Sequence, residues 1–277
     1  MIGDLHVHTT RSDGSFSPNE AVFMAESRGL SYIGIVDHDT TEGLDGAVAL
    51  GLRLGVVVVP GIEISAWDPA RKRKAHLLGY RFYSPAPRIK ALCDPLLEAR
   101  DANTRRQVDI LARAGWPITF EEVVTAAGPA KVLYKQHLLS VLVRKGVADG
   151  IYGSTYHELF GKGGLCAGDI AYVNVFEALR AIHEDGGLAV LAHPGQLDSW
   201  ELMGELLEAG LDGVELYHES HSPEDHRKVL EAARLRPGLI LTGGSDTHGT
   251  LGSEHSMGEI AAPPGALESL GVTPIHP

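Results

Sequence analysis

Cysteine is scarce. The chain holds two in 277 residues, Cys93 and Cys166, far apart and without metal-type spacing. That argues against a disulfide framework and fits a reduced, cytoplasmic setting. Positive charge is scarce too: 24 Lys and Arg stand against 36 Asp and Glu, a formal net charge of −12. No basic stripe interleaved with aromatics is present, so an extended nucleic-acid track, as in a polymerase-type exonuclease, is not expected. A small anionic substrate stays open, because bound divalent cations reverse the local field. No apolar run approaches the roughly 20 residues of a membrane helix. The N-terminus has no basic stretch followed by an apolar one, so no secretory leader is expected. Low-complexity linkers and internal repeats are also missing. What remains is a 44% hydrophobic, globular chain of a length that suits one α/β barrel, or one domain with an insert.

Apolar runs alternate with capped helices. "SPNEAVFMAESRG" begins with Ser17 as N-cap, Pro18 at the first helical position and Glu20 closing a capping box; Gly29 ends it. "SYIGIV", "GVVVVPGIEIS" and "AHLLGYRF" read as strands. Further on, the helix "NVFEALRAIHEDGG" leads to the strand "LAVLAHPG", "SWELMGELLEAG" to "DGVELYH", and "SPEDHRKVLEAARL" to "LILTGG". This alternation predicts parallel strands with helices packed outside. Between about Pro85 and Gly164 the pattern is helical only: "ARDANTRRQVDILARAG", "TFEEVVTAAG" with Thr119 and Glu122 as a capping box, and "YKQHLLSVLVRKG". We read residues 85–164 as a helical insert standing over a barrel made of 1–84 and 165–277.

Histidine is the oddity, with fourteen present and clustered near acids. "DLHVH" offers His6 and His8, "RSDGS" Asp13, "IVDHDTT" Asp37, His38 and Asp39, "PGIEIS" Glu63, "KAHLLGY" His76, "LAHPG" His193, and "GGSDTHG" Asp246 and His248. Each has a plainer reading alone: polar residues on a terminal strand, a helix cap at Asp37 or Asp39, a turn residue at His193, a buried acid at Glu63. Most follow an apolar strand run, and in an α/β barrel the C-terminal strand ends converge on one rim. Six imidazoles and several carboxylates gathered there are costly unless they bind something. Neutral His with ionised Asp and Glu is a donor set for divalent transition metals, Mn, Fe or Zn. Nine candidate ligands (His6, His8, Asp13, His38, Glu63, His76, His193, Asp246, His248) exceed what one ion takes, so two or three ions are expected. A multinuclear site suits displacement at phosphorus.

Taken as six ordered motifs, with "DLHVH" and "RSDGS" joined as "DLHVHTTRSDG", these segments from Ile2 to Gly249 resemble the motifs of the PHP (polymerase and histidinol phosphatase) family, in its stand-alone small-molecule phosphoesterase branch. The resemblance implies a distorted (β/α)7 TIM-like barrel with a trinuclear metal centre. It implies one ion on His6, His8, Glu63 and Asp246, a second sharing Glu63 with His76 and His193, and a third on Asp13, His38 and His248. It also implies that the insert caps the substrate. Relatives often carry an Arg where Gln136 stands here, and "GKPAYV" where this chain reads "GDIAYV" with Asp169. "YKQH" is similar, more weakly, to relatives acting on cyclic ribose phosphates.

The expected chemistry is hydrolysis of a small phosphate ester (a nucleotide, sugar phosphate or cyclic ribose phosphate) by metal-hydroxide attack at phosphorus. Lys135, His137, Arg144 and Lys162 are candidates for binding the anion, with solvated helix surface as the plainer reading of each. Asp37 and His221 are candidates to pass a proton to the leaving oxygen. His218 and His221 follow a strand and should face the rim; His157, His183, His226, His255 and His276 read as surface residues. Two other classes compete: a metal-dependent amidohydrolase, which often bridges its metals with a mid-barrel Lys where Glu63 stands here, and a non-catalytic metal-binding module, which would have lost ligands. Oligomeric state is not legible.

Overall fold

The structure, a computed structural model, describes residues 1–82 and 84–273, so His276 lies outside the described residues. β1 (Gly3–Val7), α1 (Pro18–Ser27), β2 (Tyr32–Ile35) and α2 (Leu44–Leu54) lead to β3 (Val57–Asp68), which folds straight back as β4 (Arg73–Tyr80). Helices α3 (Pro87–Arg113), α4 (Phe120–Ala127), α5 (Lys135–Arg144) and α6 (Ser154–Phe160) follow. After β5 (Val173–Asn174) the chain alternates again: α7 (Val175–Glu184), β6 (Leu188–Leu191), α8 (Trp200–Glu208), β7 (Gly213–Tyr217), α9 (Pro223–Leu235), β8 (Ile240–Gly243) and α10 (Ala266–Ser269).

The strands run in the order β1-β2-β3-β4-β6-β7-β8, with β5 beside β3. They curl into a distorted TIM-like barrel. Its seam is closed by the His8 N–H donating to Thr247 O at 3.0 Å. The buried Asp4 carboxylate ties the same seam, accepting from the backbone of His6 (3.1 Å), Ser245 (3.0 Å) and Gly258 (2.8 Å). One expectation needs correction: β4 is antiparallel to both β3 and β6, while the other main-strand pairs are parallel. The connection between β3 and β4 is too short to hold a crossover helix, so the strand must return antiparallel.

Capping follows the sequence closely. Ser17–Glu20 and Thr119–Glu122 form capping boxes, and Asn174 accepts from Phe176 N–H. Two starts were hidden. The N-cap of α2 is Gly43 at φ 83°, with no side-chain cap. The N-cap of α3 is Ala86, and its free N–H groups donate instead to Asp185: Arg88 N at 3.2 Å and Ile89 N at 2.8 Å. α3 also runs through Pro95, so it begins a full three turns before the amphipathic stretch that marks it.

α3 joins two apolar cores. Its Ile89 and Cys93 pack in the barrel's outer layer with Ile64, Leu77 and Ile182. Its Val108 and Leu111 pack with Val123, Leu138 and Leu142 in a separate helical core. That core also takes Leu251, which follows β8. The helical layer is thereby held against the end of the barrel where the strands terminate, over the site described next.

Candidate metal centre

The two-residue period of β1, carried one residue past its end, puts His6 and His8 on one face. Asp246 comes to them from the loop after β8: its Oδ1 lies 3.2 Å from His6 Nε2 and 3.0 Å from His8 Nε2. Glu63 in β3 is the hub. Its Oε2 lies 3.2 Å from His8 Nε2 and 3.1 Å from His38 Nδ1; its Oε1 lies 2.8 Å from His76 Nδ1 and 2.9 Å from His193 Nε2. Asp13 Oδ1 sits 3.3 Å from His248 Nε2. All nine side chains singled out in the sequence are therefore gathered at one end of the barrel.

Three ligand groups have donor atoms within 4.8 Å of one another: His6, His8, Glu63 and Asp246; His8, Asp13, His38 and His248; and His38, Glu63 and His76. Two details differ from the expectation. His8 joins the group of Asp13, and His38 rather than His193 completes the third, while His193 keeps its contact with Glu63. The residues fit metal ions by their unmet demand. His6 Nε2, both nitrogens of His8, both oxygens of Asp13, His38 Nδ1, His193 Nδ1, Asp246 Oδ1 and His248 Nε2 are buried without a hydrogen-bond partner. So many orphaned polar atoms are too costly to leave unsatisfied.

Glu63, Asp246 and His38 carry the protonation states that ligation needs, while His8 is held protonated by its acidic neighbours. Burial would raise Glu63 and Asp246, but His38, His76 and His6 around the first, and His6, His218 and His8 around the second, hold both carboxyls well below the usual range. Burial pushes His38 down to about 3, which leaves it neutral with a lone pair free. Burial also works against a charged His8, yet Asp246 and Glu63 raise it to about 10.

Supporting groups aim these ligands. Glu215 in β7 is fully buried; its Oε1 lies 3.0 Å from His6 Nδ1 and its Oε2 accepts from His193 N–H at 2.8 Å. Gly244 lets the end of β8 press on β1, since a Cβ there would stand 2.4 Å from His6 N. Asp39, His193 and Asp246 have φ of 60°, 24° and 51°. Such backbone costs of the order of 1–3 kcal/mol at each non-glycine position and clusters at functional sites.

The helical layer grips the same loops. Arg100 of α3 donates through Nη2 to Asp39 Oδ2 (2.6 Å) and Ser65 Oγ (2.9 Å), and Asp39 Oδ1 accepts from Ser65 N–H at 2.7 Å. Tyr134 Oη donates to His38 O at 3.0 Å. Asp39 and Ser65 flank His38 and Glu63, so the helical layer fixes the loops that carry them. Glu215 and Arg100 were missed in the sequence: each stands alone in an ordinary strand or helix pattern, and no local motif marks it.

Between the barrel and the helical layer lies a cavity of about 1130 Å³, lined by cluster residues on one side and by Arg100, Lys135, Gln136, Tyr152 and Tyr156 on the other. Of the four anion candidates, Lys135 lines it. The other three need correction. His137 is buried, and its Nδ1 accepts from Tyr134 N–H at 3.1 Å, capping α5 from within. Arg144, at the last turn of α5, and Lys162, past the end of α6, are exposed and outside the lining.

The proton-relay candidates fare no better. Asp37 has both oxygens occupied, by Thr9 N–H (2.7 Å), Thr9 Oγ1 (2.6 Å) and Ser12 Oγ (2.6 Å), so it shapes the loop holding His8 and Asp13. His221 Nδ1 donates to Leu216 O at 2.9 Å and its Nε2 accepts from Gly195 N–H at 3.2 Å. Its ring is committed to the backbone on both sides. His218 is the member of that pair at the cluster, with Nε2 3.2 Å from Asp246 Oδ2. His183 and His157 are exposed as expected, though His157 borders the cavity; His226 and His255 are half-buried. No helix among the described residues is long and apolar enough to cross a membrane.

Comparison with known proteins gives a consistent family. The PHP domain family model matches residues 4–145. A phosphoribosyl 1,2-cyclic phosphate 1,2-diphosphodiesterase from Eggerthella lenta is 46% identical over 258 residues, covering 93% of this chain and 98% of its own. A 5'-3' exoribonuclease from Haemophilus influenzae is 29% identical over 88% of this chain and 89% of its own. A solved structure from Bifidobacterium adolescentis, assigned provisionally to the metal-dependent phosphoesterases, superposes with a TM-score of 0.89 at 28% identity, covering 97% of this chain and 94% of its own.

Proposed function

The chain belongs to the PHP domain family, and from that premise we propose that this metal-dependent phosphoesterase acts on a ribosyl 1,2-cyclic phosphate. Hydrolysis of a small phosphate ester is its activity; the cyclic diester is our choice among such esters. It is supported by the 46% identity, over nearly the full length of both chains, to the Eggerthella lenta enzyme. The observation that carries the chemistry is the set of orphaned, buried His and carboxylate atoms at one side of the cavity.

We assign residues 85–164 as the substrate cap over a barrel of 1–84 and 165–277, and two or three divalent ions (Mn, Fe or Zn) as the cofactors. His6, His8, Glu63 and Asp246 would hold one, Asp13, His38, His248 and His8 another, and Glu63 with His76, His38 and His193 a third. When bound, such ions supply Lewis acidity toward the phosphoryl oxygens and lower the pKa of water toward neutrality. The protein's own residues do the rest. Glu63 joins the ligand groups, so the reacting phosphate meets a surface of fixed geometry. Glu215 fixes the ring of His6 and the backbone of His193 together, and Arg100 and Tyr134 hold the loop of His38. Lys135 adds positive charge on the insert side. In the overall reaction water's oxygen forms the new bond to phosphorus, one ribosyl oxygen leaves, and that oxygen takes a proton.

The test is phosphorus NMR of the metal-loaded protein with phosphoribosyl 1,2-cyclic phosphate, alongside sugar monophosphates, nucleotides and short RNA. Conversion of the cyclic signal to a monoester, abolished by chelation, supports the proposal. Preference for RNA would replace it with the exonuclease reading; no hydrolysis of any member would overturn both.

A further inference from the structure

His218 stands directly after β7, with its side chain buried beside the cluster. Its ring centre is 4.9 Å from that of His193 and 6.0 Å from that of His6. Type and place make it look like a further ligand, yet it belongs to none of the three ligand groups. Its hydrogen bonds give the reason. The backbone N–H of Ser220 donates to His218 Nδ1 at 3.1 Å, and Ser220 Oγ lies 2.8 Å from the same nitrogen. A backbone N–H can only donate, so Nδ1 accepts and carries no hydrogen. The ring hydrogen therefore sits on Nε2, which has no lone pair left for an ion. That N–H meets Asp246, 3.2 Å from its Oδ2.

This contact divides the Asp246 carboxylate. Oδ2 is taken by His218, while Oδ1 is buried without a hydrogen-bond partner and lies 3.2 Å from His6 Nε2 and 3.0 Å from His8 Nε2. Two neighbours are divided in the same way. His6 Nδ1 is taken by Glu215, and its Nε2 is left over. His248 Nδ1 donates to the Asp246 carbonyl oxygen at 2.8 Å, and its Nε2 is left over. In each, one polar atom is held by the protein and the other is kept for the cluster. Asp246 has particular need of a holder. It sits in a loop at φ 51°, and its side chain borders the cavity. The last torsion of an aspartate is soft, so an unpinned carboxylate would turn and offer either oxygen, or both.

We infer that His218, its tautomer set by Ser220, is a positioning residue that pins Asp246 Oδ2, so that Oδ1 alone is presented to an ion held with His6 and His8. The inference rests on the metal-dependent reading of the site. His218 acts through Asp246 and is not itself a ligand. A carboxylate bound through one oxygen fills one coordination position, where a two-oxygen grip fills two. The pinning thus keeps a position open for water or substrate, as a catalytic site requires.

Nitrogen NMR of histidine-labelled protein reads the tautomer directly, and His218→Gln identifies the His218 resonances by their loss. The ring should be in its Nε2–H form in metal-free and Zn²⁺-loaded wild type. Zn²⁺ affinity, measured by chelator competition, then tests the pinning. Methionine and glutamine match in length, but only glutamine keeps an N–H to donate. His218→Met should bind Zn²⁺ about tenfold or more weakly, and His218→Gln should stay within about threefold of wild type. Both metal-free variants should melt where wild type does. Unchanged affinity in His218→Met, or an equal loss in both variants, overturns the proposal. Should His218→Met fail to fold, the wild-type tautomer still decides. If wild type binds neither Zn²⁺ nor Mn²⁺, the metal-dependent reading falls and takes the proposal with it. An Nδ1–H ring in a protein that binds Zn²⁺ overturns the proposal alone.

Discussion

Glu215 Oε1 lies 3.0 Å from His6 Nδ1, across the barrel interior, while its Oε2 receives the His193 N–H at 2.8 Å. One carboxylate thereby sets the tautomer of a ligand from the first strand and the position of another from the sixth. Outer-shell partners of this kind typically change metal affinity by about 10–100-fold when altered. Glu215→Gln should weaken metal binding within that range, measured by chelator competition, and leave the far-UV spectrum intact. Unchanged metal affinity would show that Glu215 is only structural.

Asp246 reaches two imidazoles with one oxygen. Asp246→Asn removes its charge at unchanged size and should cost more activity than the about 10–100-fold of an outer-shell change. Metal content, measured by elemental analysis, should fall in parallel. Full activity with full metal content would remove Asp246 from the ligand set.

Arg100 and Asp39 form an ion pair whose side chains are 13% and 0% exposed. Breaking a buried pair from one side strands the other charge and costs about 3–5 kcal/mol. Arg100→Met should show that loss in urea unfolding, with a fall in turnover because the loops of His38 and Glu63 loosen. A loss under about 1 kcal/mol would mean that water reaches Asp39.

His137 is pushed to about 4 by burial. Its folded pKa lies below the unfolded value of about 6.5, so the unfolded chain binds the extra proton. The stability tied to the neutral ring is present above pH 6.5 and is lost as pH falls toward 4. His137→Gln cannot titrate. Between pH 7 and 4.5 wild type should lose about 2–3 kcal/mol more than the variant. Parallel curves would place the ring in contact with solvent.

Arg144 and Lys162, both exposed and outside the cavity lining, should tolerate alanine. Steady-state kcat/KM should stay within about twofold, the range of surface substitutions. A tenfold loss at either position would bring that side chain to the substrate.

Much of this molecule is written locally. Helix starts at Ser17, Thr119 and Asn174 are legible because the capping residue and the groups it satisfies are neighbours in the chain. The nine ligand candidates are legible because most follow or lie within an apolar strand run, where barrel geometry brings separate segments together. The sequence by itself thus determined the barrel, its helical layer and the chemistry of the rim. Only the tertiary structure decided the rest, because it depends on partners distant in the chain. Asp185 caps a helix that begins nearly a hundred residues earlier. β4 turns antiparallel because its short hairpin leaves no room for a crossover. His221 and His218 look equivalent in "LYHESH", yet backbone groups at Leu216 and Gly195 occupy the first while Asp246 meets the second. Lys135 and Lys162 are alike in type; packing against Tyr156 and Phe160 places one at the cavity, and the end of α6 leaves the other in water.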